Sequence, residues 1–252
     1  LPVSVKSAAS YGGGQMEVAL AIDVTGSMDG PKLTAAKSAA KSLIQTLFTV
    51  PGTTKVNSKV KVGVVPFARY VNVGTAARGQ SWLSVPADAT STTNQCWVED
   101  QGGYCSATQT VTSTCYNDGV PYACSWEQCT NWVSGKLVTV CGPVTTTTAW
   151  HGCVGSRKYP NDLQAEANVT SPVPGVMDEV CNAQLVRLTQ DQTALAAAID
   201  GLAAWDETYI APGMLWAWRV LSPRQPFADG SSNTQTTKKA IILMTDGFNT
   251  VS

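Results

Sequence analysis

The sequence predicts an α/β protein that is built on a parallel sheet and interrupted by a long cysteine-rich insertion. Two nearly continuous apolar segments, residues 16–24 and 240–245, are typical of buried parallel strands, and an aspartate stands at the end of each. An amphipathic helical segment follows the first of them. All eight cysteines fall between the two segments, in the middle of the 252-residue chain.

Residues 1–81 are interpreted as the first part of the α/β domain. After the strand at 16–24, a turn-rich stretch leads to a helix that begins near Pro31, where Asp29 or Gly30 can cap it. Residues 59–65 alternate and then become fully apolar, which predicts a second strand. A strand, a helix and a second strand in succession imply a parallel pair joined by a right-handed crossover.

Residues 82–187 are interpreted as the insertion, a series of short β-like pieces and loops without a sustained helical period. Its cysteines have wide, irregular spacing and only one histidine, His151, accompanies them, which argues against zinc. We therefore expect disulfides and an exported protein, with a connectivity that spacing does not assign. The disulfide candidates are Cys96, Cys105, Cys115, Cys124, Cys129, Cys141, Cys153 and Cys181.

The insertion is also rich in tryptophan and tyrosine. These side chains could form a recognition surface, or they could supply the small core that a disulfide-stapled subdomain needs. A core is the favoured interpretation for most of them, because such subdomains have few other large side chains. The residues are Trp97, Tyr104, Tyr116, Tyr122, Trp126 and Trp132.

Residues 188–252 return to the α/β pattern as its second part. Thr189 and Gln192 resemble a capping box at the start of one helix, which continues through Ala204. Pro212 is expected to open a second helix whose apolar side faces the core. That apolar side is predicted to carry Met214, Leu215, Trp218 and Leu221.

The composition excludes several classes of partner. Only 14% of residues are charged, the formal net charge is -1, and there is no basic stripe, which argues against binding to nucleic acid or electrostatically to a membrane surface. The polarity comes instead from 29 threonines and 20 serines. Because the chain begins at Leu1 without a signal peptide and ends soon after an apolar strand, we expect it to be a piece of a longer protein.

Oxygen-bearing side chains follow the two predicted buried strands. Ligands of an open parallel sheet bind beyond the carboxyl ends of its strands, where Asp23 and Asp246 belong. Thr25 and Ser27 follow Asp23 at intervals of two, and a tight loop can turn all three side chains towards one point. Oxygen ligands with few charges suit a hard divalent cation, Mg²⁺ first, with Mn²⁺ or Ca²⁺ as alternatives.

The motifs around Asp23 and Asp246 resemble a known type of metal site. Asp23-Val-Thr25-Gly-Ser27 before a helix, and Thr-Asp246-Gly after an apolar strand, resemble the metal-ion-dependent adhesion site of von Willebrand factor A domains. The resemblance implies that Thr25 and Ser27 bind the ion directly, Asp23 acts mainly through water, Asp246 is an outer carboxylate, and Thr208 is the distant threonine. It also implies a doubly wound, mostly parallel sheet whose C-terminal part is missing from this chain, and an ion that receives a carboxylate from a protein partner.

A narrower resemblance concerns three other segments. Residues 64–74 (VVPFARYVNVG), 150–157 (WHGCVGSR) and 213–223 (GMLWAWRVLSP) are similar to TadG-like proteins of bacterial Flp/Tad pilus assembly. The resemblance implies a membrane anchor outside this chain and a location in the periplasm, at the cell surface or on the pilus. It implies a metal-dependent binding or adhesion module of the cell envelope.

Two other functions remain open at this stage. An enzyme is disfavoured: the haloacid-dehalogenase motif would need an aspartate where Thr25 stands, there is no phosphate-binding glycine loop, and one histidine does not make a catalytic triad. The chain could also be a structural pilus or envelope assembly component whose metal site is stabilising or vestigial. All candidate ligands are present in either case.

Overall fold

The computed structural model describes residues 14–50, 52–53, 55–117, 120–181, 183–247 and 249–250. The chain divides into two compact units, residues 14–88 with 148–250, and residues 89–147. The second unit is narrower than the predicted insertion at 82–187, since residues 82–88 and 148–187 belong to the first unit.

The secondary structure of the described residues is mostly β. In chain order the elements are β1 (Gln15–Asp23), α1 (Pro31–Phe48), β2 (Val60–Phe67), β3 (Val71–Asn72), β4 (Leu83–Ser84), β5 (Ala89–Gln101), β6 (Tyr104–Asn117), β7 (Val120–Val133), β8 (Lys136–Thr148), β9 (Trp150–Val154), β10 (Val173–Met177), β11 (Val186–Thr189), α2 (Gln192–Asp200), α3 (Ile210–Leu221) and β12 (Thr237–Met244). Short 3-10 turns occur at Gly26–Met28 and Thr75–Ala77.

A four-stranded sheet with the order β11-β2-β1-β12 organises the first unit. The central strand β1 pairs in parallel with β2 and with β12, so that Ile22 lies beside both Pro66 and Met244. Residues of α1 and α2 pack on one face of this sheet and residues of α3 pack on the other. Gly213 in α3 allows a close approach, because a Cβ there would overlap the ring of Phe67.

The expectation of a doubly wound, mostly parallel α/β sheet is wrong. Strands account for 43% of the structure and three helices for 20%, and small antiparallel pairs and mixed sheets dominate. Only one helix crossover between parallel neighbouring strands, β1-α1-β2, is present in the described residues, and β11 runs antiparallel to β2. The prediction extended that single unit to a whole sheet, whereas the residues between β2 and α2 form further strands.

The first unit contains a second, mixed sheet with the order β3-β9-β10-β4. Its aromatic core includes Trp82, Trp216 and Phe227, whose ring centroids lie 5.8 to 6.0 Å apart. Two buried arginines, Arg157 and Arg219, lie beside this core, and Arg219 stacks 4.5 Å from the Trp216 ring centroid. Burial, with the charge of Arg157 nearby, lowers the pKa of Arg219 to about 9.

The second unit consists of two antiparallel strand pairs, β5 with β8 and β6 with β7. Both pairs follow one register with a local shift at Ala107: the Thr92 and Thr145 hydroxyls are 3.0 Å apart, Tyr104 pairs with Val133, and Asn117 pairs with Val120. The unit is therefore a long two-stranded ribbon. A ribbon of this kind has little core of its own and is marginally stable without additional bonds.

The expectation that the aromatic residues of the insertion form a core is not met. The side chains described there are exposed: Trp97, Tyr104, Tyr122, Trp126 and Trp132. A two-stranded ribbon has no second layer to cover them. Tyr116 lies outside the residues whose side chains are described.

All eight cysteines are paired in four disulfides. Three of them cross-link the ribbon, and the fourth joins β9 to the segment before β11 within the first unit. The pairs are Cys96–Cys141, Cys105–Cys129, Cys115–Cys124 and Cys153–Cys181. Four disulfides indicate an oxidising extracellular environment. None of the helices in the described ranges has the length and apolarity needed to cross a membrane.

Two local predictions in the last part of the chain are wrong. The N-cap of α2 is Asp191, whose carboxylate accepts from the amides of Thr193 and Ala194, while Thr189 accepts from the amide of Asp191. The buried side of α3 is also displaced from the prediction. It is formed by Pro212, Gly213, Trp216, Ala217, Arg219, Val220 and Leu221, whereas Met214 and Trp218 are exposed.

Candidate metal-binding site

The candidate site lies where β1 and β12 end side by side. The parallel register that pairs Ile22 with Met244 continues by one residue to bring Asp23 next to Thr245. The Thr245 hydroxyl donates to Asp23 Oδ2 at 2.7 Å. Asp246 follows directly, and Gly247 then takes a positive φ of 134°, a conformation that favours glycine and turns the chain away from the strand.

Asp23 is fully buried and its carboxylate is held by neutral donors. Oδ1 accepts from the Thr25 amide at 3.0 Å and from the Thr25 hydroxyl at 2.7 Å. With Thr245 on Oδ2, three donors fix both oxygens of the carboxylate. These bonds tie the loop after β1 to the end of β12 and orient the Thr25 hydroxyl.

Thr208 reaches the same place from the loop before α3. That loop is fastened to the loop after β1 by two backbone bonds, from the Trp205 amide to the Val24 carbonyl (2.7 Å) and from the Gly26 amide to the Asp206 carbonyl (3.0 Å). The Thr208 hydroxyl is thereby buried and donates to the Thr25 hydroxyl at 2.9 Å. The distant threonine of the sequence prediction thus lies beside Thr25.

Ser27 and Asp246 form the exposed side of the cluster. The Ser27 hydroxyl donates to Asp246 Oδ1 at 3.0 Å and lies 3.1 Å from the Thr25 hydroxyl oxygen. The structure thus brings together all five predicted site residues, which are Asp23, Thr25, Ser27, Thr208 and Asp246.

The hydroxyl oxygens of the site are closely spaced. The Thr25 hydroxyl donates to Asp23 and accepts from Thr208, and its oxygen lies 3.1 Å from that of Ser27, a pair in which either hydroxyl can donate. A hydroxyl oxygen has two lone pairs and can bind a cation while its hydrogen is donated elsewhere. The spacing of the Thr25 and Ser27 oxygens therefore allows both to bind one ion.

Lys32 supplies a positive charge at the exposed side. Its ammonium lies 2.6 Å from Asp246 Oδ2 and 3.1 Å from the carbonyl oxygen of Ser27. The hydrogen bond from Lys32 lowers the pKa of the Asp246 carboxyl; burial opposes this in part, and the hydrogen bond from Ser27 adds to the lowering. Asp246 is therefore an anion at neutral pH.

The donor set fits a hard divalent cation better than a softer metal. It offers hydroxyl and carboxylate oxygens and no nitrogen or sulfur, which is the ligand type of Mg²⁺, Mn²⁺ and Ca²⁺. Within the described ranges, no three His, Cys, Asp or Glu side chains lie close enough together to hold a metal ion. An ion at this site would therefore depend on the hydroxyls of Thr25, Ser27 and Thr208.

Two residues that contact the site were given no role in it by the sequence prediction. Thr245 could have been found, since the residue after a strand lies beside the end of the neighbouring parallel strand. The sequence pattern did not indicate that Lys32 contacts the site, because an exposed lysine on a helix usually belongs to a solvated face.

Comparison of the chain with models of protein families, with curated proteins and with solved structures finds no match. No family is therefore assigned to the chain. The metal-binding role of the five site residues stays a prediction that rests on their residue types and on the geometry described above.

Proposed function

We propose that the chain is a metal-dependent binding module of an exported protein, with a divalent cation, Mg²⁺ first, at the Thr25–Ser27–Thr208 hydroxyl cluster. One observation carries this proposal. Three hydroxyls and two carboxylates from three separate segments converge at the ends of β1 and β12, with the hydroxyl oxygens of Thr25 and Ser27 3.1 Å apart.

The charge of the site supports a role in binding acidic partners. Thr25, Ser27 and Thr208 are neutral ligands, and the nearby negative charges are those of Asp23 and Asp246, the second of which is paired with Lys32. A divalent ion that binds directly to neutral hydroxyls keeps a positive potential on its open side, so that it attracts a carboxylate. Ser27 and Lys32 lie on the exposed side, where an acidic side chain of a protein partner can approach.

The finer location of the protein belongs to the same proposal. The four disulfides support export. The similarity of residues 64–74, 150–157 and 213–223 to TadG-like proteins favours the periplasm, the cell surface or the pilus of a bacterium, with a membrane anchor outside this chain. This part rests on sequence motifs alone.

One observation favours a second function, that of a structural assembly component with a stabilising or vestigial site. The Lys32 ammonium already bridges Asp246 and Ser27, so a cation of the protein itself holds the exposed side of the cluster together. On this account the hydrogen bonds alone fasten the loops after β1, before α3 and after β12.

Calorimetric titration with Mg²⁺, Mn²⁺ and Ca²⁺ separates the two functions. We expect the wild type to bind one ion, and Ser27→Ala and Asp246→Asn to bind it at least about tenfold more weakly, since each removes an oxygen ligand or its charge. Asp200→Asn is the matched control, because Asp200 is a surface carboxylate paired with Lys41 away from the site. A wild type that binds none of the three ions, or site variants that bind like the control, would contradict the proposal.

A peptide experiment tests the partner class. A short aspartate-containing peptide should bind the wild type when the ion is present and not in chelator. The same peptide with asparagine in place of aspartate is the control. Equal binding of both peptides would show that the ion receives no carboxylate.

A further inference from the structure

The positive charge of Lys32 does not stabilise the helix on which it lies. Lys32 is the second residue of α1, after Gly30 as N-cap and Pro31, and the first turn contains no acidic residue. A positive charge at this end opposes the helix dipole, which favours anions there. The other lysines of the helix with described partners, Lys37 and Lys41, contact Asp200 at the end of α2 instead.

The contacts of Lys32 are with the candidate metal site. Its ammonium donates to Asp246 Oδ2 at 2.6 Å and to the Ser27 carbonyl oxygen at 3.1 Å. Ser27 in turn donates from its hydroxyl to Asp246 Oδ1. One ammonium therefore engages both residues that form the exposed side of the cluster, and it leaves the buried residues Asp23 and Thr208 untouched.

The exposure of the Lys32 side chain allows the Lys32–Asp246 ion pair to open. The Lys32 side chain is 58% exposed while that of Asp246 is 16% exposed, so the ammonium can leave to water while the carboxylate stays in place. Exposed ion pairs contribute little net stability, and a divalent ion attracts a carboxylate more strongly than an ammonium does. Asp246 can thus exchange one cation for the other without a change in the backbone.

We infer that Lys32 is an internal competitor for the divalent ion, and that it sets the ion concentration at which the site is loaded. This inference rests on the proposed function. The ammonium neutralises Asp246 and orders Ser27 at low ion concentration, and a divalent ion must displace it. A lysine at this position therefore raises the concentration of ion needed for loading and keeps the cluster assembled until then.

The test compares Lys32→Gln with the matched control Lys37→Gln. Both variants lose one positive charge from α1, but only Lys32 contacts the site. We expect Lys32→Gln to bind Mg²⁺ or Mn²⁺ about tenfold more tightly in calorimetry, because the competing charge is gone. Lys37→Gln and Lys32→Arg, which keeps the charge, should bind within about twofold of the wild type.

A second measurement does not depend on the binding isotherm. Added Mg²⁺ should raise the melting temperature of Lys32→Gln more than that of the wild type or of Lys37→Gln, because the ion binds that variant more tightly. Lys32→Met, which keeps the length of the side chain, gives a second uncharged variant in case the glutamine makes a bond of its own.

The outcomes separate this inference from the proposed function. Equal ion affinity of wild type and Lys32→Gln, with loss of binding in Ser27→Ala, would overturn the role of Lys32 and leave the metal site intact. Weaker binding by Lys32→Gln would also overturn it, since Lys32 would then assist the ion. An absence of binding in the wild type, Lys32→Gln and Lys32→Met alike would overturn both.

Discussion

The Thr208 hydroxyl donates to the Thr25 hydroxyl at 2.9 Å, although the two residues are 183 positions apart in the chain. Both side chains are buried, and Thr25 passes its own hydrogen to Asp23. This chain of bonds joins the loop before α3 to the end of β1. Thr25 is thus the hydroxyl through which the buried part of the site is connected.

Replacement of Thr25 tests that connection. We expect Thr25→Val to lower the free energy of unfolding by about 1–3 kcal/mol, because Asp23 and Thr208 each lose a buried hydrogen-bond partner. It should also abolish ion binding. Thr25→Ser keeps the hydroxyl and is the matched control, with ion binding retained. Denaturant unfolding and calorimetry give the two readouts, and equal ion binding by the valine variant would show that Thr25 is not a ligand.

The stabilising contacts of the buried Arg219 are expected to require its planar guanidinium. Its Nε donates to the carbonyl oxygen of Ala165 at 3.2 Å and its Nη2 to that of Gln164 at 3.3 Å, while its face lies on Trp216. A lysine cannot make this fork, so Arg219→Lys should lower the free energy of unfolding by about 2 kcal/mol.

The control for Arg219 is a second arginine-to-lysine change. Arg224 forms an exposed ion pair with Glu166, and Arg224→Lys should change the free energy of unfolding by less than about 0.5 kcal/mol. Urea unfolding at neutral pH measures both. If the two variants were equally stable, the guanidinium of Arg219 would have no structural role beyond its charge.

Two disulfides that close loops of similar length should differ in their effect on the stability of the first unit. Cys153–Cys181 spans 28 residues within the first unit, and Cys105–Cys129 spans 24 residues within the ribbon. Replacing both members of the first pair by serine should destabilise the first unit by about 3 kcal/mol. Replacing the second pair should leave that unit unchanged.

Tryptophan fluorescence during urea unfolding reports on the first unit through the buried Trp82 and Trp216. The result that would contradict the division into two units is a loss of first-unit stability when Cys105 and Cys129 are replaced. An equal loss for both serine pairs would mean that the two units unfold together.

The pKa of Asp88 predicts an acid-sensitive contact in the first unit. Its carboxylate is paired with Arg78 and accepts from the Trp150 amide at 3.0 Å. Both hydrogen bonds lower the pKa of Asp88, and the bond from Arg78 has the larger effect. A carboxyl group with a lowered pKa stabilises the folded state above its unfolded pKa of about 3.9, and this contribution is lost as the pH falls through the lower folded value.

Asp88→Asn should therefore melt at a lower temperature than the wild type at pH 7. The difference should shrink as the pH falls below about 4, because the wild-type carboxylate is then protonated as well. Asp162→Asn, at a carboxylate on the same unit, is the control. A difference in melting temperature that stays constant down to pH 2 would contradict the assignment.

The sequence carried enough information to locate the candidate site but not the fold around it. Asp23 and Asp246 could be placed together because a buried apolar segment runs up to each of them, and parallel strands end at one edge of a sheet. The fold class failed because strand–helix–strand patterning is local. Nothing in the sequence showed that β11 would pair antiparallel with β2.

Single residues explain the smaller errors. The predicted apolar side of α3 included Met214 and Trp218, which are exposed, whereas the charged Arg219 is buried against the ring of Trp216. The ribbon could not be foreseen, since alternating threonines and aromatic residues fit a covered sheet as well as an exposed ribbon. Lys32 was missed because its importance comes from Asp246, 214 residues away.

The most direct test of the metal site is a crystal of the protein soaked in Mn²⁺ and measured for anomalous scattering. We predict one strong peak within about 2.0–2.3 Å of the hydroxyl oxygens of Thr25 and Ser27, with the Lys32 ammonium moved away from Asp246. A crystal without a peak at this cluster, in which the Lys32–Asp246 pair is intact at millimolar Mn²⁺, would contradict this prediction.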